Sequence, residues 1–301
     1  MSVAHVTSTF IALPLRKAAK NLSPRRGDGK MRRRPLRGQF PTKVLLVRLT
    51  PLKDVKDRLL CLLPLTVILS GWELLSASGI VRAELVPPPS KVLMTLTSQL
   101  STASFVLMVL RSFSNLTLGI LLALFMAAPL AIWAGLKRQV DSTITPSIML
   151  AGSLPDLALL PLLMMWFGEG SLAAILMAGV CAFFPIYFTT REGVRSIPTE
   201  YFQVSTIFHS GRFDFVQKLI LPAIVPQAIT GLRLAFDFVW EVILAIEIIA
   251  RVAGIGSFIY MSVERQTVDA AFAGIFAIGI LSIIVDRCFF GFLEERVKRW
   301  A

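Results

Sequence analysis

The chain has few of the residues on which most catalytic and metal sites depend. Its 301 residues include only two histidines, His5 and His209, and three cysteines that form no CxxC pair. Gly29-Lys30 is followed by Met31, so no phosphate-binding GxxxxGK[ST] loop is present, and HExxH is absent too. We therefore expect no catalytic residue, no metal site and no cofactor in this chain.

Acidic residues are scarce near the N-terminus. The chain has 31 Lys and Arg against 19 Asp and Glu, a net charge of +12, and the excess lies mainly in residues 1–58. Arg25-Arg26 and Arg32-Arg33-Arg34 belong to this excess. We interpret residues 1–58 as a basic, flexible cytoplasmic segment that touches anionic membrane lipid. A nucleic-acid-binding arm is the alternative, although we expect no nucleic-acid partner.

Apolar sequence is abundant. Hydrophobic residues make up 55% of the chain and the mean hydropathy is +0.70, more than soluble domains carry. A helix needs about 20 apolar residues to cross a bilayer. The sequence therefore predicts an all-α integral membrane protein whose transmembrane domain covers residues 59–301. Six spans are predicted, at residues 59–80, 106–135, 144–167, 171–190, 228–250 and 270–292.

Positive charge in the short loops predicts the orientation of these spans. Lys and Arg cluster after the second, fourth and sixth spans, so these loops and both termini are predicted to be cytoplasmic in a multi-pass inner-membrane protein. The charged positions are Lys137, Arg138, Arg191, Arg195, Arg212, Lys218, Arg296, Lys298 and Arg299. On the opposite side, Ser90 is expected to cap a short amphipathic helix at the membrane interface.

A polar, amphipathic loop separates the fourth and fifth spans. From about Pro198 to Leu219 it predicts two short helices joined by a turn at Ser210-Gly211, and Leu221-Pro222 is expected to end the second helix and redirect the chain. The alternative is an interfacial helix packed on its own bundle. The predicted apolar faces are Tyr201, Val204, Ile207 and Phe208 on the first helix and Phe213, Phe215, Val216 and Leu219 on the second.

This loop resembles the cytoplasmic coupling segment of permeases from binding-protein-dependent ABC importers, which follows E-A-A-x3-G-x9-I-x-L-P. Alignment on Leu221-Pro222 puts Leu219 at the Ile position, His209 at the Gly position and Gln203-Val204-Ser205 at the Glu-Ala-Ala positions. Gly211 is a candidate for the role of the missing glycine.

The resemblance extends to other segments, roughly from Leu59 to Trp300. These are LPDLALLPLLMMWFGEG, FFPIYFTTREGVRSIP, the Ala253-Gly254-Ile255-Gly256 stretch with Glu247, and FLEERVKRW. The nitrate, sulfonate, taurine and bicarbonate permeases are the most similar subgroup.

The resemblance implies an importer with two permeases, identical or paralogous, two ATPase subunits and an external substrate-binding protein. ATP and Mg²⁺ would bind to the ATPase, so this chain is not expected to be an enzyme. The substrate would be a small solute, for example one of the anions of that subgroup. The loop at about residues 191–227 would dock on the ATPase, and its coupling candidates are Gln203, Val204, Ser205, His209, Gly211, Phe213, Leu221 and Pro222.

Ionisable residues inside the fifth span form a second set of candidates, because charge within a membrane normally faces a cavity or another charge. Arg233, Asp237 and Glu241 are four residues apart and share one helix face, and Glu247 lies further along. They are candidates for the translocation pathway. A local Arg233–Asp237 pair is the simpler interpretation. Two unpaired acids would also repel an anionic substrate.

Three more pathway candidates lie in the second and third spans. Arg111 and Asn115 are one turn apart and either line a pathway or anchor the second helix at the interface. Asp156 follows Leu154-Pro155 and is either a ligand or a helix-start cap.

Two other functions remain open at this point. A self-contained channel or secondary transporter would use the row formed by Arg233, Asp237 and Glu241. A membrane scaffold would recruit acidic partners through residues 1–58. Co-purification with an ATPase would separate the importer from the self-contained transporter, and uptake that persists after deletion of residues 1–56 would exclude the scaffold.

Overall fold

The computed structural model describes residues 55–207 and 212–298, except Val81 and Ala83. The predicted basic segment 1–58 therefore falls almost entirely outside the described residues, and so do His209 and Gly211. Within the described part of the chain, all regular structure is helical, which confirms the predicted fold class.

The helices are numbered here in chain order. They are α1 (Val55–Ala77), α2 (Pro89–Leu100), α3 (Ala103–Leu136), α4 (Arg138–Ala151), a 3₁₀ helix (Asp156–Leu159), α5 (Leu160–Phe167), α6 (Ser171–Arg195), α7 (Thr199–Ile207), α8 (Arg212–Phe215), a π turn (Val216–Ile220), α9 (Leu221–Ile249), α10 (Ile255–Glu264), α11 (Val268–Val285), a second π turn (Asp286–Phe290) and α12 (Gly291–Lys298).

Within the described residues, three helical segments are long and apolar enough to cross a bilayer by themselves. They are α3, α6 and the continuous segment Val268–Val297. The remaining two predicted straight spans correspond to α1, whose apolar part is Leu63–Ala77, and to α9, which carries four ionisable residues.

The third predicted span is not one straight helix. Residues 144–167 belong to α4 and to the pair formed by the 3₁₀ helix and α5, and the two parts are bent by 82° at a break over residues 152–155. Pro155 explains the break, because a proline has no N–H to donate and disfavours helical geometry in the residue before it. The two parts together form a fourth candidate span, either broken or re-entrant.

Small residues bring α3 and α6 together. The residues occur at every fourth position, so they form a stripe on one face of each helix. On α3 they are Gly119, Ala123, Ala127 and Ala131, and on α6 they are Ala174, Ala178 and Ala182, all buried. We call this contact the small-residue seam. Such contacts let helix backbones approach closely in a membrane.

The short helix between the first two spans begins earlier than predicted. Pro88, not Ser90, is the N-cap of α2, and no side-chain cap comes from within the helix. Glu73 of α1 supplies the cap instead, because its carboxylate accepts hydrogen bonds from the Ser90 hydroxyl (2.7 Å) and the Ser90 N–H (3.1 Å). Val92 and Leu96 of α2 then pack on Ala273 of α11.

Gly119→Ala should destabilise the protein because the seam has no room for a methyl group. An added Cβ would overlap the Cβ of Ala178 and lie 3.0 Å from the carbonyl oxygen of Ile175. Overpacking of this kind costs about 1–3 kcal/mol. Thermal unfolding of the detergent-purified protein measures the effect. Gly279→Ala is the matched control, since nothing lies within 4 Å of its added Cβ, and an equal loss in both variants would contradict the seam.

Candidate functional site

The polar loop between the fourth and fifth spans is helical on both sides of residues 208–211. The structure has α7 and α8 where the sequence predicted two short helices. The predicted turn at Ser210-Gly211 lies outside the described residues.

Leu221-Pro222 does not end the second helix of the loop. The chain stays helical from Arg212 to Ile249 and passes through the π turn at Val216–Ile220. In an α-helix the Pro222 ring would clash with the carbonyl of residue 218, and the wider i→i+5 turn removes that conflict. The second half of the loop is therefore a direct extension of the fifth span.

The first half of the loop packs on the bundle through a residue next to the predicted face, whereas Phe215 of the second half packs as predicted. Tyr201 is 56% exposed, whereas Phe202 packs on Phe215 with ring centroids 5.8 Å apart. Both phenylalanines cover a cluster that we call the loop root. Its buried members are Val194, Ile197, Ile220 and Ile224. The loop root joins the end of α6 to the start of α9.

The predicted coupling residues are only partly within the described region. Gln203, Leu221 and Pro222 are exposed, and Ser205 is half-buried. The side chains of Val204 and Phe213, like His209 and Gly211, lie outside the description.

A groove of about 550 Å³ runs beside the loop. It is lined by Pro198 and Tyr201 on the α7 side, by Lys218 and Pro222 on the α9 side, and by Val297 of α12. The end of the last helix therefore lies next to the loop.

An ionic cluster ties the end of α6 to the start of α4. The Asp141 carboxylate accepts two hydrogen bonds from Arg191, one of them from Nη2 at 2.7 Å, and one from Arg195 Nη1 at 2.7 Å. Thr145 Oγ1 donates a fourth at 2.6 Å. Sequence reasoning missed Asp141 and used both arginines only for orientation. The sequence did contain a signal for this cluster. Asp141 is an acid close to the basic residues that follow the second span, and Arg191 and Arg195 lie one helical turn apart after the fourth span.

Arg233 forms its ion pairs with residues outside α9. Arg233 binds Asp286 Oδ1 through Nη2 at 2.6 Å and Glu294 Oε1 through Nη1 at 2.8 Å. The simpler interpretation of an Arg233–Asp237 pair is wrong for the described residues, because Arg233 reaches across to the last helix instead. Asp237 and Glu241 are exposed on the same face of α9.

Glu247 is fully buried within the subunit. Its Oε2 accepts hydrogen bonds from the Ser112 hydroxyl (2.9 Å) and the Gly256 N–H (2.8 Å), and the Ser112 oxygen accepts one from the Ile255 N–H (2.9 Å). A side chain at Gly254 would overlap the carboxylate. Glu247 thus connects α9, α3 and the start of α10, and the glycines of the Ala253–Gly256 stretch make room for it.

The other pathway candidates are dispersed. Arg111 is exposed, whereas Asn115 is buried and its Nδ2 has no hydrogen-bond partner among the described residues. Asp156 is the first residue of the 3₁₀ helix, whose N-cap is Pro155, so the predicted capping position is wrong by one residue.

Comparison with known proteins gives a consistent result. Residues 119–299 match the family described as binding-protein-dependent transport system inner membrane component. The chain is 28% identical over 241 residues to the taurine transport system permease protein TauC of Escherichia coli, covering 78% of this chain and 87% of TauC. It is 29% identical over 252 residues to the bicarbonate transport system permease protein CmpB of Synechococcus elongatus, covering 79% of this chain and 90% of CmpB.

A solved structure has the same fold. A chain from the MetNI methionine ABC transporter in an inward-facing conformation superposes with a TM-score of 0.55 at 17% identity, covering 65% of this chain and 95% of that chain. The helical arrangement described above is therefore one found in an ABC transporter.

Glu247→Ala should lower the thermal stability of the protein strongly. The change leaves the buried Gly256 N–H without its acceptor, removes the hydrogen bond from Ser112 and opens a cavity, which together cost about 2–5 kcal/mol. Glu241→Ala is the matched control on the exposed face of the same helix and should stay within about 0.5 kcal/mol. Thermal unfolding in detergent distinguishes them, and similar stability of both variants would contradict the structural role of Glu247.

Proposed function

This chain belongs to the family of binding-protein-dependent transport system inner membrane components, and we propose that it carries a small anionic solute in an ATP-driven importer. It is a permease subunit of an ABC importer. The observation that carries the proposal is the helical loop α7–α8, which is anchored on the loop root between two spans and leaves polar residues exposed.

The loop is proposed to dock on a separate ATPase subunit. Its second half continues into α9 without leaving the helical conformation, so a push on α8 is transmitted along the helix axis. Its first half follows α6 after a short connection at Ser196–Pro198. Docking at this loop would thus move α6 and α9 relative to each other, as alternating access requires.

The remaining parts of the importer are proposed to be separate chains. ATP and Mg²⁺ would bind in the ATPase, an external binding protein would deliver the solute, and a second permease, identical or paralogous, would complete the pathway. Asp237 and Glu241 support the last point. They are exposed on a membrane helix, and such acids normally face a cavity or a partner.

The proposed solute is a small anion of the sulfonate, bicarbonate or nitrate kind. The names of the relatives TauC and CmpB, a taurine and a bicarbonate permease, support this choice. The two exposed acids on α9 would repel an anion unless they are paired in the assembly. We therefore assign the selectivity for the solute to the external binding protein.

Both termini and the loop are proposed to be cytoplasmic. Val297 near the C-terminus and Tyr201 of the loop border the same groove. This supports a location of the loop and the C-terminus on the same side of the membrane. The positive charges of Arg195, Lys218 and Arg296 at this end favour the cytoplasmic side. Residues 1–58 are proposed to touch anionic lipid.

Phe213→Asp and His209→Asp should uncouple ATP hydrolysis from uptake. Each puts a negative charge into the proposed docking surface, so we expect uptake to fall while ATPase activity and membrane insertion persist. The measurement is solute uptake and phosphate release in proteoliposomes that contain the permease, its ATPase and its binding protein.

The control is Gln266→Asp, an exposed position in the turn before α11, away from the loop. Normal coupling in both loop variants would argue against the docking role of this loop. Uptake by the permease alone, driven by an ion gradient, would instead support a self-contained transporter.

A further inference from the structure

We propose that Asp141 is a positioning residue that links the movement of the coupling loop to the bent third span, with Arg191 as a fixed attachment and Arg195 as an exchangeable one. The inference rests on the proposed function, because it concerns how a push on the loop reaches the membrane helices. It adds a connection to α4, which is separate from the continuous helix that leads into α9.

The cluster engages both oxygens of the Asp141 carboxylate. Oδ1 accepts from Arg191 Nε and Thr145 Oγ1, and Oδ2 accepts from Arg191 Nη2 and Arg195 Nη1. Arg191 therefore binds in a bidentate manner, and Arg195 adds a single bond. Bidentate arginine–carboxylate pairs fix orientation as well as distance.

A second pair of polar side chains connects α4 and α6 one helical turn away from the ionic cluster. The Thr145 and Tyr187 hydroxyls are 2.8 Å apart, and Tyr187 is fully buried. Asp141 and Thr145 are one turn apart on α4, and Tyr187, Arg191 and Arg195 follow one another at one-turn intervals on α6. Two matching rows of polar side chains therefore hold the helices in register.

These side chains supply the polar connection between the two helices at this end. The backbones of α4 and α6 do not pack closely, in contrast to those of α3 and α6. Long side chains from α6 span the gap. The start of α4 follows α3 after the single residue Lys137, and the ionic cluster ties it in addition to the end of α6.

The two arginines differ in their surroundings. The Arg191 side chain is 16% exposed, whereas that of Arg195 is 46% exposed. Arg195 is also the last residue of α6, three residues before Pro198, so it is expected to move with the loop. A pocket of about 260 Å³ next to it, bordered by Arg138, Thr199 and Phe202, leaves room for the guanidinium to swing away.

This difference supports two distinct roles. Exposed ion pairs are weak and break readily, whereas a bidentate pair away from water is held firmly. Arg191 thus keeps α4 attached throughout, and Arg195 forms or breaks its bond as the loop changes position. The bond between Arg195 and Asp141 biases the bent third span toward one arrangement.

The test uses the full importer in proteoliposomes and measures the ratio of solute imported to ATP hydrolysed. Arg195→Gln keeps the length and polarity of the side chain but removes its charge. We expect the ratio to fall by roughly fivefold or more, the lower range of typical coupling effects. The thermal stability of the purified permease should stay unchanged, since the side chain is nearly half exposed. A purely structural contact would not change the ratio at equal amounts of folded complex.

Conservative variants separate the two arginines. Arg195→Lys should restore the ratio, because one ammonium can replace the single Nη1 bond. In Arg191→Lys the ratio of solute imported to ATP hydrolysed should stay low, because an ammonium cannot bind both carboxylate oxygens in the geometry of a guanidinium. Arg251→Gln is the control, since it breaks the exposed 3.3 Å Arg251–Glu264 pair far from the loop in sequence.

The outcomes are distinguishable. A normal ratio in Arg195→Gln, together with ATP-dependent uptake by the unaltered protein, would overturn the link and leave the proposed function intact. An equal loss in Arg251→Gln would also overturn it, as a general charge effect. Lack of ATP-dependent uptake by the unaltered importer would overturn both the proposed function and the link that rests on it.

Discussion

The rest of the described structure depends on the close approach of α3 and α6. Inside a bilayer, lipid tails are as apolar as leucine, so helices do not associate simply to avoid water. Close packing has to hold them together, and the stripes of Gly and Ala make it possible. On the other side of α6, Gly193 and Gly231 leave space for Gln227 and Thr189, so α9 also approaches closely. α6 is therefore the central helix of the bundle.

The two ends of the bundle hold their acids in different ways. At the loop end, Asp141 is held by two arginines, and Arg233 binds Asp286 of the second π turn and Glu294 of α12. At the other end, Glu247 has hydrogen bonds from one hydroxyl and one backbone N–H. Ion pairs between long side chains tolerate small shifts in helix position, whereas a buried carboxylate between a serine and a glycine N–H does not.

The sequence predicted those features that follow from local rules. Runs of apolar residues located the helices, and the resemblance around Leu221-Pro222 indicated the family that the comparisons established. The same proline misled the prediction of local structure, because proline usually ends a helix, whereas here a π turn absorbs it. The error at Leu154-Pro155 was the reverse. The sequence predicted one continuous span there, whereas the structure has a break.

Contacts between distant segments could not be predicted in this way. A local pair of Arg233 with Asp237 was one of two interpretations, because the two are one turn apart, but the acids that bind Arg233 lie 53 and 61 residues further along the chain. Asp141 and Arg191 are 50 residues apart, and only the packing of α4 beside α6 brings them together. Periodicity predicts which face a side chain occupies but not which helix that face meets. The loop face differed by one residue, from Tyr201 to Phe202, for the same reason.

The position of the loop between α6 and α9 has a mechanical consequence. Its first half is connected to α6 through a short non-helical segment, and its second half is continuous with α9. The buried loop root holds these two attachments together, so a load on the loop cannot simply pull it away from the bundle. The load must instead act on the contact between α6 and α9. That contact relies on small residues with little room to adjust, since Gly231 lies directly against Thr189. Densely packed contacts of this kind shift as rigid bodies rather than deform. If the loop docks as proposed, the same close packing that holds the helices together in the membrane would convert movement of the loop into movement of whole helices.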